Sequence, residues 1–278
     1  MPHVSLLRHG SIAVSSVYRL NSMRSPSISL FTLSFFRRIA RRYFRRHFRA
    51  VRITDPFPNI QGPLIIYANH SSWWDPMISV MLAWKLMPTR QHFAPMDATA
   101  LNRYAILKRI GIFPVEMNSA RGAAQFLRTS LTVLAEGGVL WITPQGRFAD
   151  NRERPLHFKS GLAALAARVP GGCTLLPLAI EYPFWDERLP EALLHFGTPI
   201  QISTGTAEEI EPHLKRALLE TMEALQEKSI ARNPAAFTIL QQGSAGTGGF
   251  YAFGQRALAK LRGRPYQPDH TPAQDHHG

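Results

Sequence analysis

Apolar residues change their spacing twice along the chain. Over 28–53 they recur at three- and four-residue steps (Phe35, Phe36, Ile39, Tyr43, Phe44, Phe48 and Val51), which predicts a helix with one apolar stripe. After Pro56-Phe57-Pro58 short apolar runs alternate with amphipathic stretches. The runs at 64–68, 91–94, 111–115, 139–143 and 174–180 read as strands, and 193–203 holds one or two more. Helices are predicted between them at 76–87, with Pro76 in a first-turn position, and at 98–109, 121–136, 160–168 and 206–230. Strands alternating with helices predict an α/β fold, a mostly parallel sheet flanked by helices on both faces. Beyond it the glycine-rich 243–249 breaks the pattern, 250–261 reads as a short basic helix, and 263–278 lacks the apolar content to order itself. Four parts result: a poorly ordered N-terminus (1–26), an N-terminal amphipathic helix, basic and aromatic (27–55), one α/β domain (56–235) and a flexible C-terminal tail (236–278).

Length and composition agree with a single domain, since 278 residues at 45% hydrophobic suffice for one large core. The charge is less even. The net charge is +13, and eight arginines without one acidic residue fall between Arg37 and Arg52. A helix that is aromatic on one side and arginine-rich on its flanks suits the headgroup region of an anionic membrane. On this reading Phe36, Phe44 and Phe48 meet the lipid, together with Arg37, Arg38, Arg41, Arg42, Arg45 and Arg46. The competing reading packs the same aromatic stripe on the domain and leaves the arginines to solvent. Nucleic acid is not expected as a partner, because no zinc-finger spacing or RNA-binding module accompanies the basic run. No stretch approaches the roughly 18 to 20 consecutive apolar residues that cross a bilayer, and the first 21 residues lack the plan of a cleaved secretory signal. The expected location is therefore the cytoplasmic face of a membrane, held peripherally. The single Cys173 excludes a disulfide framework and a Cys-based zinc site, and its apolar neighbours predict a buried thiol.

The string carrying chemistry is Asn69-His70-Ser71-Ser72-Trp73-Trp74-Asp75-Pro76, set between a predicted strand and a predicted helix. The carboxyl ends of strands are where α/β proteins build sites. Five residues on one regular helix would place His70 and Asp75 about 140° apart, so the two must meet across the turn that precedes the helix. A carboxylate at one imidazole nitrogen fixes the tautomer and leaves the other to take a proton from a hydroxyl. Neither a G-x-S-x-G elbow nor an H-E-x-x-H pair occurs.

This string resembles the H-x-x-x-x-D block of the lysophospholipid and 1-acylglycerol-3-phosphate acyltransferase family. Thr143-Pro144-Gln145-Gly146-Arg147 resembles that family's P-E-G-T-R block, Phe158-Lys159-Ser160-Gly161 its F-K-x-G, and Leu176-Pro177-Leu178-Ala179 its last, proline-containing strand. The resemblance implies a seven-stranded or similar glycerolipid acyltransferase-like domain, His70 as catalytic base and Asp75 as its orienting partner. It further implies substrate contacts at Gln145, Gly146, Arg147 and Lys159. No cofactor or metal is implied; the donor would be an acyl thioester on coenzyme A or acyl carrier protein, and the acceptor a lipid hydroxyl. The chain departs from the family pattern at charged positions. Phe93-Ala94-Pro95-Met96-Asp97 lacks the usual lysine, Met117 and Phe148 stand where arginines are usual, and Gln145 replaces a glutamate. These departures predict an acceptor without a terminal phosphomonoester, such as a glycolipid or a substituted lysophospholipid. The alternative is a catalytically weak relative that binds lipid or membrane.

Overall fold

A computed structural model of the chain describes residues 25–54 and 57–244. Its elements run α1 (Leu30–His47), β1 (Ala50–Ile53), β2 (Leu64–Ala68), α2 (Asp75–Leu86), β3 (His92–Asp97), α3 (Ala98–Arg103), β4 (Ile112–Val115), α4 (Ala120–Ala135), β5 (Val139–Ile142), α5 (Gly161–Ala166), β6 (Cys173–Glu181), β7 (Glu191–Phe196), β8 (Ile200–Ile202), α6 (Ala207–Ile230) and β9 (Thr238–Gln242). The sheet order is β4-β3-β5-β2-β6-β7-β1-β9, with β8 pairing beside β7 on the long strand β6. Parallel pairing joins β4 to β3, β3 to β5, β5 to β2, β2 to β6 and β7 to β1. The remaining pairs, β6 with β7, β6 with β8 and β1 with β9, are antiparallel.

The central strand explains the two layers. Successive side chains of β2 point to opposite faces, so Leu64, Ile66 and Ala68 enter one core with Phe44 and Phe48 and with Ile78, Met81 and Leu82 of α2. Ile65 and Tyr67 enter the other, with residues of α4, α5 and α6. Both faces are covered, so all five residues of β2 are buried. The long helix α6 starts on a reciprocal cap: the Thr206 side chain accepts from Glu209 N–H while the Glu209 carboxylate accepts from Thr206 N–H.

Three expected boundaries move. The first helix ends at His47 rather than reaching Ile53, because Phe48 turns to extended backbone and Ala50–Ile53 pairs with β7 and β9 inside the sheet. Phe48 and Val51 keep the three-residue step across the break, so periodicity could not mark it. Arg52, counted as a solvated cation, is instead buried and donates Nε–H to Glu191 at 3.0 Å. The expected helix at 98–109 is shorter, α3 giving way to a 3-10 turn at Ala105–Arg109. The tail also begins later than 236, because Thr238–Gln242 closes the sheet edge against β1. The tail from 245 on, and all but two residues of the expected disordered N-terminus, lie outside the described residues.

Candidate active site

Strand β2 ends at Ala68, and the next residues turn out over the carboxyl ends of β5 and β6. Asn69 fastens this turn: its amide donates to Ile180 O and to Asn151 Oδ1, and its oxygen accepts from Ile180 N–H at 2.8 Å. Next along the chain, His70 N–H donates to Gln145 Oε1 at 2.8 Å, and His70 O accepts from Ala149 N–H at 2.8 Å. The histidine backbone is thus pinned on both sides to the loop that follows β5.

Helix α2 begins at Asp75 with Pro76 behind it, so the carboxylate sits in the first turn, where the helix dipole favours a negative charge. His70 Nδ1 and Asp75 Oδ2 are 2.8 Å apart. A carboxylate only accepts, so Nδ1 carries the hydrogen and Nε2 is left with its lone pair. Asp75, 1% exposed, also accepts from Ser72 N–H at Oδ2 and from the Tyr182 hydroxyl at Oδ1, 2.6 Å away. Burial first, and then the Asp75 charge, push the Tyr182 phenol well above its ordinary pKa, so it stays protonated and donating. The predicted pair is therefore brought together across the turn, and its unpredicted third member comes from just beyond β6. Trp74 packs against Tyr43, Phe44, His47 and Phe48, while Trp73 stands exposed.

The four positions expected to touch substrate divide. Gln145 is buried and spends its oxygen on His70, so it positions the histidine backbone. Gly146 turns with φ +64°, and the Lys159 side chain lies against it where a Cβ would collide. Lys159 Nζ donates to Asn118 Oδ1 at 3.1 Å, and Arg147 pairs with Glu153 and also donates to Phe148 O. The aromatic side chain closest to the imidazole is Phe148, whose ring centroid is 4.5 Å from that of His70. A purely motif-based reading notices Phe148 only as a missing arginine.

His70 lines a cavity of about 1440 Å³ whose walls come from α1, α2, α4, α5, β3 and β4. Leu33, Phe36, Met77, Val80, Ala94 and Leu107 give it apolar walls. His92 also lines it and begins β3 opposite Val139, the first residue of β5. Its Nε2–H donates to Met87 O at 2.9 Å and its Nδ1 accepts from Trp141 Nε1–H at 3.1 Å. Burial, helped by the charges of Arg90 and Arg37 against the opposing Met87 bond, lowers its pKa to about 4. The ring is therefore neutral in neutral solution.

The expected lipid-facing residues need revision on the same geometry. Phe44 and Phe48 are fully buried in the domain core, and Phe36 and Arg37 face the cavity. The outward side of α1 instead carries Leu30, Phe31, Phe35, Ile39 and Tyr43, with Arg38, Arg41, Arg42, Arg45 and Arg46 exposed among them. The competing reading, a stripe packed on the domain, holds for one side of this helix and fails for the other. Among the described residues no helix is long and apolar enough to cross a membrane, and no cluster of side chains is arranged to hold a metal ion.

Comparison with known proteins places these features in context. The Acyltransferase family model matches residues 48–181, a span that begins just after α1 and includes His70, Asp75, the loop after β5 and all of β6. No curated protein matches in sequence. Among solved structures, the fold is similar to the crystal structure of the 1-acyl-sn-glycerophosphate (LPA) acyltransferase PlsC from Thermotoga maritima. The TM-score is 0.50 at 17% identity, over 70% of this chain and 79% of that one.

Proposed function

We propose, from the Acyltransferase family match over residues 48–181, that the chain transfers a fatty acyl group from a coenzyme A or acyl carrier protein thioester to a lipid hydroxyl, with His70 as base. The observation that carries this reading is the His70–Asp75–Tyr182 arrangement, with His70 and Asp75 lining an apolar cavity large enough for lipid chains. The acceptor hydroxyl approaches His70 Nε2 and gives up its proton as its oxygen attacks the thioester carbonyl carbon. The tetrahedral intermediate collapses, the C–S bond breaks, and the imidazolium returns the proton to the departing thiolate. Asp75 steadies the imidazolium that forms between these steps and does not itself take the proton. No residue is acylated along the way. The acyl chain lies in the cavity lined by α1, α2 and β3, where apolar walls favour its transfer out of water.

The location that fits is the surface of an anionic membrane, met by the outer side of α1. Phe31, Phe35 and Ile39 recur every fourth residue and point away from the core, and five exposed arginines flank them. Each basic residue near an anionic leaflet contributes about 1 kcal/mol. Such a leaflet faces the cytoplasm, and the helix then holds the cavity mouth near its lipid substrates.

Thiol release from acyl-CoA by the purified chain, measured with a panel of lipid acceptors, tests the reaction. His70→Ala is expected to abolish acceptor-dependent release while the thermal midpoint stays within a degree or two. Asp75→Asn is expected to lower turnover by three to four orders of magnitude, about the loss known when a triad carboxylate becomes an amide. Turnover within tenfold of wild type in folded His70→Ala would sink the mechanism.

A further inference from the structure

The group that flanks the reacting hydroxyl must lie beside His70 Nε2, so the side chains at that spot select it. Phe148 is the aromatic ring packed against the imidazole, its centroid 4.5 Å from that of His70 and its plane tilted 43°, and it is 56% exposed. Its backbone is not free to swing away. The neighbouring Ala149 N–H donates to His70 O at 2.8 Å, and Phe148 O accepts from Arg147 at 3.1 Å.

The same loop carries four cations, and each already has internal partners. Arg147 pairs with Glu153; Arg152 donates to both oxygens of Asp150 at 2.9 and 2.8 Å; Arg154 donates to the carbonyls of Asn151 and Glu153 at 2.8 and 2.9 Å. Lys159 donates to Asn118 from across Gly146. A dianionic phosphate next to the hydroxyl would press on an apolar ring, and would have to pull guanidinium groups from existing carboxylate and carbonyl partners to recover its lost hydration. The C–H faces of a sugar or polyol meet the opposite situation, since an aromatic face carries negative charge density and shape to match them.

We propose that Phe148 is the platform for the acceptor headgroup, and that this headgroup is an uncharged glycosyl or glycerol unit of a lipid. The assignment rests on the acyl-transfer reading above. It makes Phe148 a specificity-determining residue that holds the hydroxyl at Nε2 by contact with the ring bearing it. Phe148→Tyr keeps such a face, Phe148→Ala removes it, and Phe148→Arg replaces it with a phosphate donor.

The test uses the full chain with acyl-CoA and three acceptors: dodecyl glucoside, monoacylglycerol and lysophosphatidate. Wild type is expected to show a higher kcat/KM on one or both neutral acceptors than on lysophosphatidate. Phe148→Ala is expected to raise KM for the preferred neutral acceptor at least tenfold, with a smaller change in kcat, and Phe148→Tyr to restore it. Phe148→Arg is expected to move the neutral-to-phosphate preference at least tenfold toward lysophosphatidate. A wild-type preference for lysophosphatidate, or a preference ratio that none of the three variants moves, overturns the platform while leaving acyl transfer standing. Absence of His70-dependent thiol release with every acceptor overturns acyl transfer itself and the platform with it. Thermal melting of each variant separates a lost fold from a lost contact.

Discussion

His92 makes the cavity wall sensitive to acid, and the size of the effect follows from its surroundings. Its pKa falls from 6.5 to about 4 because burial opposes the charged ring and because Arg90 and Arg37 lie nearby. Above pH 6.5 the ring is neutral in both folded and unfolded chains and contributes no pH dependence. As pH drops below 6.5 the unfolded chain takes up the proton first while the folded chain resists, so folding stability is lost progressively down to about pH 4. At about 1.36 kcal/mol per unit the full loss is about 3 kcal/mol, of which about 2 kcal/mol is gone by pH 5. There is also a geometric reason for the resistance. A proton on Nδ1 would face the Trp141 Nε1–H that now donates to it, setting two donors head to head. Urea unfolding of wild type and His92→Gln at pH 7.5 and pH 5 isolates this contribution, because other titrating groups act on both proteins alike. Wild type is expected to lose about 2 kcal/mol more than the variant between the two pH values. Equal losses in the two proteins would refute the assignment, and with it the neutral ring in the cavity wall.

The two sides of α1 are expected to respond oppositely. Phe31→Ser with Phe35→Ser should weaken sedimentation with phosphatidylglycerol vesicles by at least about 3 kcal/mol, a hundredfold or more, at unchanged thermal stability, given about 1.5 to 3 kcal/mol for each fully buried phenylalanine. Phe44→Ala should cost about 3 to 5 kcal/mol of folding stability, because it empties a packed site between α1 and Trp74. Vesicle binding that survives the outer pair would refute the revised membrane face. Tyr182→Phe removes the hydroxyl bonded to a buried carboxylate and should lower stability by about 2 kcal/mol, read as a shifted urea midpoint. An unmoved midpoint would show that Asp75 does not depend on that bond.

How much the sequence disclosed depended on the range over which each signal acts. Strands β2, β5 and β6 were legible because burial on both faces forces uninterrupted apolar runs, and His70 and Asp75 were legible because their partnership spans one turn. Tyr182 was hidden, since it reaches Asp75 from 107 positions away and looks locally like the last residue of an apolar strand. Gln145 was read as a substrate contact for the same reason, because its partner at His70 N–H comes from a different strand end. Strand β1 escaped notice because Phe48 and Val51 prolong a helical rhythm, and β9 because the edge strand Thr-Ile-Leu-Gln-Gln shows little of the apolar character that marks buried strands. Arg52 misled by composition: hydropathy scores a cation as solvated, and the Glu191 that holds it lies 139 residues further on. On α1 the periodicity was right and the facing was wrong, because both sides of the helix carry aromatic residues and only the tertiary contacts tell which of them the domain covers.

The seating of α1 decides how this protein can be handled. Phe44 and Phe48 belong to the same core as the central strand, and Phe48 lies against Trp74 and against Tyr182, which holds Asp75. Trimming the chain to begin after the helix would strip the cover from one face of the sheet and leave a sticky fragment. Better behaviour in solution is sought by repainting the outer surface of the intact helix, with polar residues at the exposed Phe31, Phe35 and Ile39.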